Sequence, residues 1–383
     1  MFTPNAYIPQ TDSDIVLADR LTDAHQVRLR GVSNLAVSWE LSKAGQLSFE
    51  LPYVDLLSYG LADLPALKGK WIHYEHPTAG PWGGIVRVIN ASNGVVSLGA
   101  ESWAVALDGV GTRVFGQQNY AMLSMLMKQI NAVRQLTGIR AGGYDVGSDG
   151  DLVAQDETLD VGTDLYQTYL PAILSRWQDE RGWKAGLQSA AWNIDPTTRV
   201  LNFDSTYGTD KSHTVWIHAG RHITSTDIQD DLEDVINTVN YAGKVNYTSH
   251  ETITKRTKKG KKKVKRITVR GTKPAFRTGR NTRSVTAFGE RSLTLEKDFS
   301  SETLMQQAAT NRAQFMALDT QNVSIQIADV DQVWSTFREG DLVMLAAGFD
   351  GLIGKMVIRN RALNVAQGVM TVAGEAALAR FLV

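Results

Sequence analysis

The residues of this chain predict a β-rich α+β fold: two related antiparallel β-barrel domains, at 1–108 and 214–383, flanking an α/β insertion at 109–213. Three observations predict it. Residues 27–98 alternate apolar and polar side chains between turn residues, the mark of half-buried antiparallel strands. From about residue 109 the apolar spacing lengthens to three and four, as in a helix. A set of glycine-led segments near the N-terminal end then recurs, in the same order, near the C-terminal end.

In order along the chain, strands are predicted at 27–30, 35–41, 46–51, 71–75, 84–89 and 95–98, with Gly31 and Lys43-Ala44-Gly45 as punctuation. Residues 119–136 place Leu123, Leu126, Met127, Ile130, Val133 and Leu136 on one helical face, with Asn119 as N-cap and Gly138 past the end. A second helix at 164–181 carries Leu165, Tyr169, Leu170, Ile173, Leu174 and Trp177, and Pro171 is expected to kink it. Strand-like segments follow at 183–187 and 199–203. In the last domain, Thr226-x-x-Gln229 has the capping-box form ahead of Ile228, Leu232, Val235, Ile236 and Val239, which predicts a helix over 226–239. A second helix is predicted over 301–318, capped by Ser300 or Ser301, and strands at 323–327, 341–345, 355–359 and 369–372.

The repeat organises these elements. Gly69-Lys70-Trp71, Gly84-Ile85-Val86-Arg87 and Gly94-Val95-Val96 match Gly340-Asp341-Leu342, Gly354-Lys355-Met356-Val357 and Gly368-Val369-Met370. Gly94 to Glu101 and Gly368 to Glu375 are both seven apart. Glycine turns alone produce some such coincidence, but three matched pieces in order favour two homologous barrels. Three chains with two barrels each can close a ring of six, a pseudo-sixfold ring when trimeric.

Composition narrows the function classes. No run of about 18 apolar residues predicts a membrane span, and the N-terminus lacks the basic and apolar regions of a secretory signal. There is no cysteine, which excludes disulfides, thiolate metal sites and Cys nucleophiles. A net charge of zero hides a segregation: 252–289 holds fourteen Lys or Arg and no Asp or Glu, leaving 26 basic against 40 acidic residues elsewhere.

That basic segment predicts a long hairpin at 248–283, its tip near Gly260. The residues nominated for contact with an anionic partner are Lys255, Arg256, Lys258, Lys259, Lys261, Lys262, Lys263, Lys265 and Arg266. Three counterparts stay open: an acidic partner protein or the acidic body of a neighbouring subunit, DNA or a tape-measure protein in a lumen, and an anionic cell surface. Contact with DNA would be salt-dependent and blind to sequence. Phe276 is the one aromatic between Thr252 and Ala287, too few for single-strand stacking.

Other motifs fall short of chemistry. Asp145, Asp149, Asp151 and Asp156 faintly echo a calcium loop, but Gly147 stands where a ligand is needed, and a plain acidic turn is the better reading. His218-x-x-x-His222 lacks the Glu of a zinc protease helix, and His73 and His76 lack ligating neighbours. There is neither a G-x-S-x-G elbow nor a P-loop, and nothing fixes the separation of carboxylates such as Asp156 and Glu157. The nine Trp residues are scattered, as core or interface anchors would be. No catalytic residue, metal or cofactor is nominated.

Taken in order, Trp82-Gly83-Gly84-Ile85-Val86-Arg87-Val88, 231–243, Phe288-Gly289-Glu290-Arg291 with the helix after it, and Glu339-Gly340-Asp341-Leu342-Val343 resemble the phage tail baseplate hub family. That family takes in siphophage tail-associated hub proteins and related hubs of contractile injection machines. The resemblance implies a homotrimeric structural protein of the virion, made in the host cytoplasm, at the tail tip. It implies contacts with distal tail protein and tail tube above, with fibre, spike or tape-measure protein, and a channel for DNA. The chain ends soon after the second barrel, so a fused lysin or fibre domain is not expected. Two rival readings remain: a wall-degrading tail enzyme housed in the insertion, and a nucleic-acid-binding module built on the basic hairpin.

Overall fold

In the computed structural model, the first hundred residues form β1 (Ile15–Ala18), β2 (Val27–Leu29), β3 (Ser33–Glu40), β4 (Gln46–Pro52), short helices α1 (Tyr53–Ser58) and α2 (Leu64–Leu67), β5 (Trp71–His76), β6 (Gly80–Ser92) and β7 (Val95–Ser102). The structure describes residues 15–19, 26–113, 120–146, 150–154, 162–177, 188–229, 235–256, 262–317, 321–347 and 352–380. The period-two pattern turns one face inward: in β3 and β4, Leu35, Val37, Leu47, Phe49 and Leu51 are buried while the residues between them are not.

The insertion supplies β8 (Tyr120–Ala121), α3 (Met122–Thr137), β9 (Arg140–Asp145), β10 (Val153–Ala154), a π-helical turn at Leu165–Tyr169 leading into α4 (Leu170–Trp177), then β11 (Ala191–Ile194) and β12 (Val200–Asp204). α3 buries Leu123, Leu126, Met127, Ile130 and Val133 as its spacing predicts, but Leu136 is exposed. Gly138 ends α3 with φ of 74°, the left-handed C-cap that a side chain resists. Pro171 sits at the second position of α4, where its missing N–H costs little, and the looser π turn takes up the irregularity expected of a kink. Segment 183–187 lies outside the described residues.

The last third forms β13 (Trp216–His218), β14 (Ile223–Gln229), β15 (Thr238–Arg256), β16 (Lys262–Arg280), α5 (Thr282–Phe288), β17 (Ser292–Glu296), α6 (Glu302–Met316), β18 (Gln321–Ala328), β19 (Leu342–Ala346), β20 (Leu352–Asn364) and β21 (Val369–Arg380). Ser301 caps α6 by accepting from the Leu304 amide. The helix predicted over 226–239 is corrected. Residues up to Gln229 belong to strand β14 and those from Thr238 to strand β15, while 230–234 lie outside the described residues. Ile, Ser and Thr crowd β14, and Val239 joins a different core from Ile228, so the helical stripe was assembled from two strands.

The chain divides into two compact units. The first takes 1–177, 187–230 and 320–383; the second takes 178–186 and 231–319. The domain expected at 214–383 is thus shared between them, because 231–319 lies in sequence between β14 and β18, which are antiparallel neighbours.

Within the first unit the repeat is legible in the strand ladder. β5, β6, β7, β4 and β3 are neighbours in that order, and so are β19, β20, β21, β18 and β14. Gly69 N donates to Val86 O at 2.9 Å and Val86 N to Lys70 O at 3.0 Å; Gly340 N donates to Ile358 O at 2.7 Å and Ile358 N to Asp341 O at 3.0 Å. Both glycines have positive φ, 83° and 88°. A β-bulge follows in each copy, leaving Arg87 and Arg359 as the extra residues. Arg87 reaches Glu101 at 3.6 Å, and Arg359 reaches Glu375 at 3.4 Å. The register corrects one detail of the sequence match: Gly84 corresponds to Met356, two residues beyond Gly354.

In place of two separate closed barrels, the described residues show the two meanders joined in one 13-stranded sheet. The join is antiparallel, with Glu40, Trp39, Ser38, Val37 and Ala36 of β3 opposite Asn360, Arg361, Ala362, Leu363 and Asn364 of β20. One core runs through both copies, from Ile15, Leu17 and Phe49 to Val343, Ile358 and Val372. A separate core under the insertion packs Trp71, Trp103, Leu126, Ile130, Trp177 and Phe203.

Candidate functional site

The hairpin expected at 248–283 is part of a longer one that starts at Thr238 and ends at Arg280, while 282–283 belong to α5. β15 and β16 pair residue for residue over 19 positions each, from Thr238–Arg280 at the base to Arg256–Lys262 at the far end. β17 adds a third strand only along residues 238–242 of β15. Val239, Tyr241 and Val245 share one face by the two-residue period and are buried against Phe299, Met305, Ala308, Ala309 and Ala313. Tyr241 meets Phe299 edge to face at 5.0 Å. Gly279 permits the close approach of α6, since a β-carbon there would lie 2.0 Å from the Ala309 backbone.

Beyond this base, residues 246–256 and 262–272 pair only with each other among the described residues. At about 3.3 Å per residue that ribbon reaches about 35 Å past the core. A two-stranded ribbon alone is marginally stable. In its backbone register Lys255 pairs with Lys263, and Arg256 with Lys262. Lys265 and Arg266 lie opposite Ile253 and Thr252 on the same ladder, and the ladder beyond the base offers a single acid, Glu251, opposite Ile267. Lys258, Lys259 and Lys261 fall outside the described residues. Basic residues nearer the base are answered locally: Lys273 and Arg277 by Glu302, and Arg280 by Glu290. The sequence did not single out these two acids, because the partners are brought together by the hairpin and α6 rather than by spacing.

The faint calcium loop has another use. Asp151 accepts from the Leu123 amide at 3.1 Å and the Ser124 amide at 3.2 Å, capping α3 from a distant turn. Asn119, expected to cap it, and Asp149, Asp156 and Glu157 lie outside the described residues. His222 Nδ1 accepts from the His218 amide, and burial, then Arg221 and His218, push its pKa down. His76 Nδ1 accepts from the Thr78 and Ala79 amides and so holds a turn. Trp71, Trp103, Trp177 and Trp334 are fully buried, Trp216 is exposed at 39%, and Trp183 is outside the described residues. Among the described residues no group of three or more His, Asp or Glu is placed to hold a metal.

Several hollows lie on the first unit, and two of them gather polar or aromatic side chains. One of about 330 Å³ is walled by Trp39, Trp82, Trp192 and Trp334, with Arg361 and Glu339 paired in its wall. Arg361 also donates to the carbonyls of Ala79 and Phe337. The other, of about 620 Å³, is lined by Asp145, Asp195, Asp204 and Glu339; burial and then Asp145 raise the Asp204 pKa.

No protein-family profile matches the sequence, and no curated protein matches it. Solved structures do match in fold. A tail protein from Neisseria meningitidis MC58 aligns with a TM-score of 0.60 at 12% identity, covering 96% of this chain and 97% of that one. The 43 kDa tail protein of prophage MuSo2 from Shewanella oneidensis gives 0.59 at 11% identity, covering 95% and 96%. Prophage tail protein gp18 from Listeria monocytogenes EGD-e gives 0.56 at 13% identity, covering 95% and 94%. From one end to nearly the other, this chain has the fold of phage tail proteins.

Proposed function

We propose that the chain is a structural hub of a phage tail tip rather than an enzyme. Three copies close into a collar that joins the tail tube and distal tail protein above to fibre, spike or tape-measure components below, around a channel for DNA. In this reading each meander completes a barrel-like unit of the ring, and the protein resides in the virion after synthesis in the host cytoplasm. The observation that carries the reading is the duplicated meander inside a fold shared over its whole length with tail proteins. Two copies per chain turn threefold assembly into sixfold repetition, which adapts a sixfold tube to threefold parts. Solution mass with negative-stain electron microscopy tests it. Three times 42.1 kDa and a threefold ring of six lobes are expected; a compact particle of single-chain mass would count against the collar.

The ribbon is the collar's contact with an anionic partner, through Lys255, Arg256, Lys258, Lys259, Lys261, Lys262, Lys263, Lys265 and Arg266. The run of fourteen Lys or Arg with no acid over 252–289 favours this, since a neighbouring anion relieves the repulsion of so many like charges. Acidic tail protein and DNA are separated by a filter-binding titration. Retention of DNA that falls steeply between 50 and 200 mM salt, about a thousandfold or more, assigns the ribbon to phosphate. No retention at low salt assigns it to protein.

A further inference from the structure

The join between the meanders carries information about the next chain. By register, 88–92 in β6 correspond to 360–364 in β20: the first set pairs with Gly99, Leu98, Ser97, Val96 and Val95, and the second with Ala373, Val372, Thr371, Met370 and Val369. In β20 the other edge of 360–364 is taken by β3. Among the described residues no strand lies along that edge of β6, because β5 pairs no further than Ile85. Val88 is 52% exposed there.

The partner of that vacant edge also exists in duplicate. Val37 lies opposite Leu47 in the first copy, and Ile228 lies opposite Val323 in the second, so β14 is the counterpart of β3. β3 uses its outer edge to hold β20. Among the described residues β14 is the terminal strand of the sheet, and its outer edge is open apart from a single bridge of Ile223 to Ala219. One meander therefore has an unused acceptor and the other an unused donor of the same junction. Neither edge carries the devices that keep exposed strands apart: 88–92 hold no charge and no proline, and β14 holds only Asp227.

We infer that the outer edge of β14 in one copy pairs antiparallel with residues 88–92 of β6 in the next, repeating between chains the β3–β20 junction within one. Gln229 then faces Asn90 as Ser38 faces Ala362, and Ile228 faces Ala91 as Val37 faces Leu363. The contact is head to tail, so it closes a ring instead of capping a dimer. The surface is completed by main-chain hydrogen bonds, with a second copy of this chain as the partner. The inference rests on the trimeric collar and specifies how it closes.

The chain has no cysteine, so an engineered pair reports without interference. Asn90 and Gln229 are both exposed, and opposed strand residues lie about 4.5–5.5 Å apart at Cα, within disulfide range. Oxidised Asn90→Cys/Gln229→Cys is expected to run on non-reducing gels at two and three times 42.1 kDa and to collapse with reductant. Ser38→Cys/Ala362→Cys, its counterpart within one chain, is expected to oxidise at single-chain mass. Wild-type protein of three-chain mass with no ladder from the first variant would overturn the edge pairing and leave the trimer standing. Single-chain mass with no ladder would overturn both.

Discussion

Ahead of β5 in the first meander stands Lys70, which reaches Asp19 at 2.6 Å with both side chains partly in solvent. At the same place in the second meander stands Asp341, its side chain 2% exposed, accepting from Lys211 Nζ and from the amides of Thr209 and Arg338 at 2.8, 2.8 and 3.0 Å. One strand further on, Gly83 of the first copy leaves room for Trp103 and for Pro196 of the insertion, whereas Lys355 of the second reaches Asp210 at 3.1 Å. The positive-φ glycines, bulges and bulge arginines are common to both. What the pair teaches is that turn and bulge geometry tolerates little exchange, while the side chains around it change sign and depth so long as each finds a partner.

The difference between the two copies is largest at Asp341 and Lys70. Asp341→Ala removes the buried half of an ion pair and strands two amides, so it is expected to cost about 3 kcal/mol. Lys70→Ala, at the matching but solvated position, is expected to cost about 0.5 kcal/mol. Urea midpoints of the two variants check the ratio, and equal losses would mean the copies do not differ in depth as described. A smaller effect sharpens the contrast at Asp210, which the second copy alone possesses. Hydrogen bonds from the Ser212 hydroxyl and amide, then Lys355, hold its pKa down at about 2. A carboxyl depressed in the folded state contributes stability above its ordinary value of 3.8, and that contribution fades as pH falls from about 4 towards 2. Ser212→Ala is expected to move the Asp210 titration up towards 3.8, read by carboxyl-carbon NMR, and to weaken the acid sensitivity of the second meander.

Much of the repeat was legible because its punctuation is chemical. Gly69, Gly94, Gly340 and Gly368 all take positive φ, which sequence can announce. The middle strand misled by two residues, since Gly84 and Gly354 serve close packing and strand pairing rather than one common turn. The helix expected at 226–239 failed for a related reason: Ile228 and Val239 fit a helical stripe but belong to cores of different units. The basic hairpin was plain from its charge run, whereas its register needed the ladder. The open edges of β6 and β14 had no signal at all, because an edge is defined by which strand is absent beside it.

Between β3 and β4 the chain turns in five residues, 41–45, while between β14 and β18, the same corner of the other copy, it departs for 231–319 of the second unit and returns. Gln229 and Asn322 still face each other across one rung. Loop-closure entropy rises only slowly with length, so that corner behaves as a socket: the sheet fixes where a cargo leaves and re-enters and is indifferent to its size. What is carried at that corner can thus change in length while the frame keeps its register, so that what the protein touches is free of how it stands.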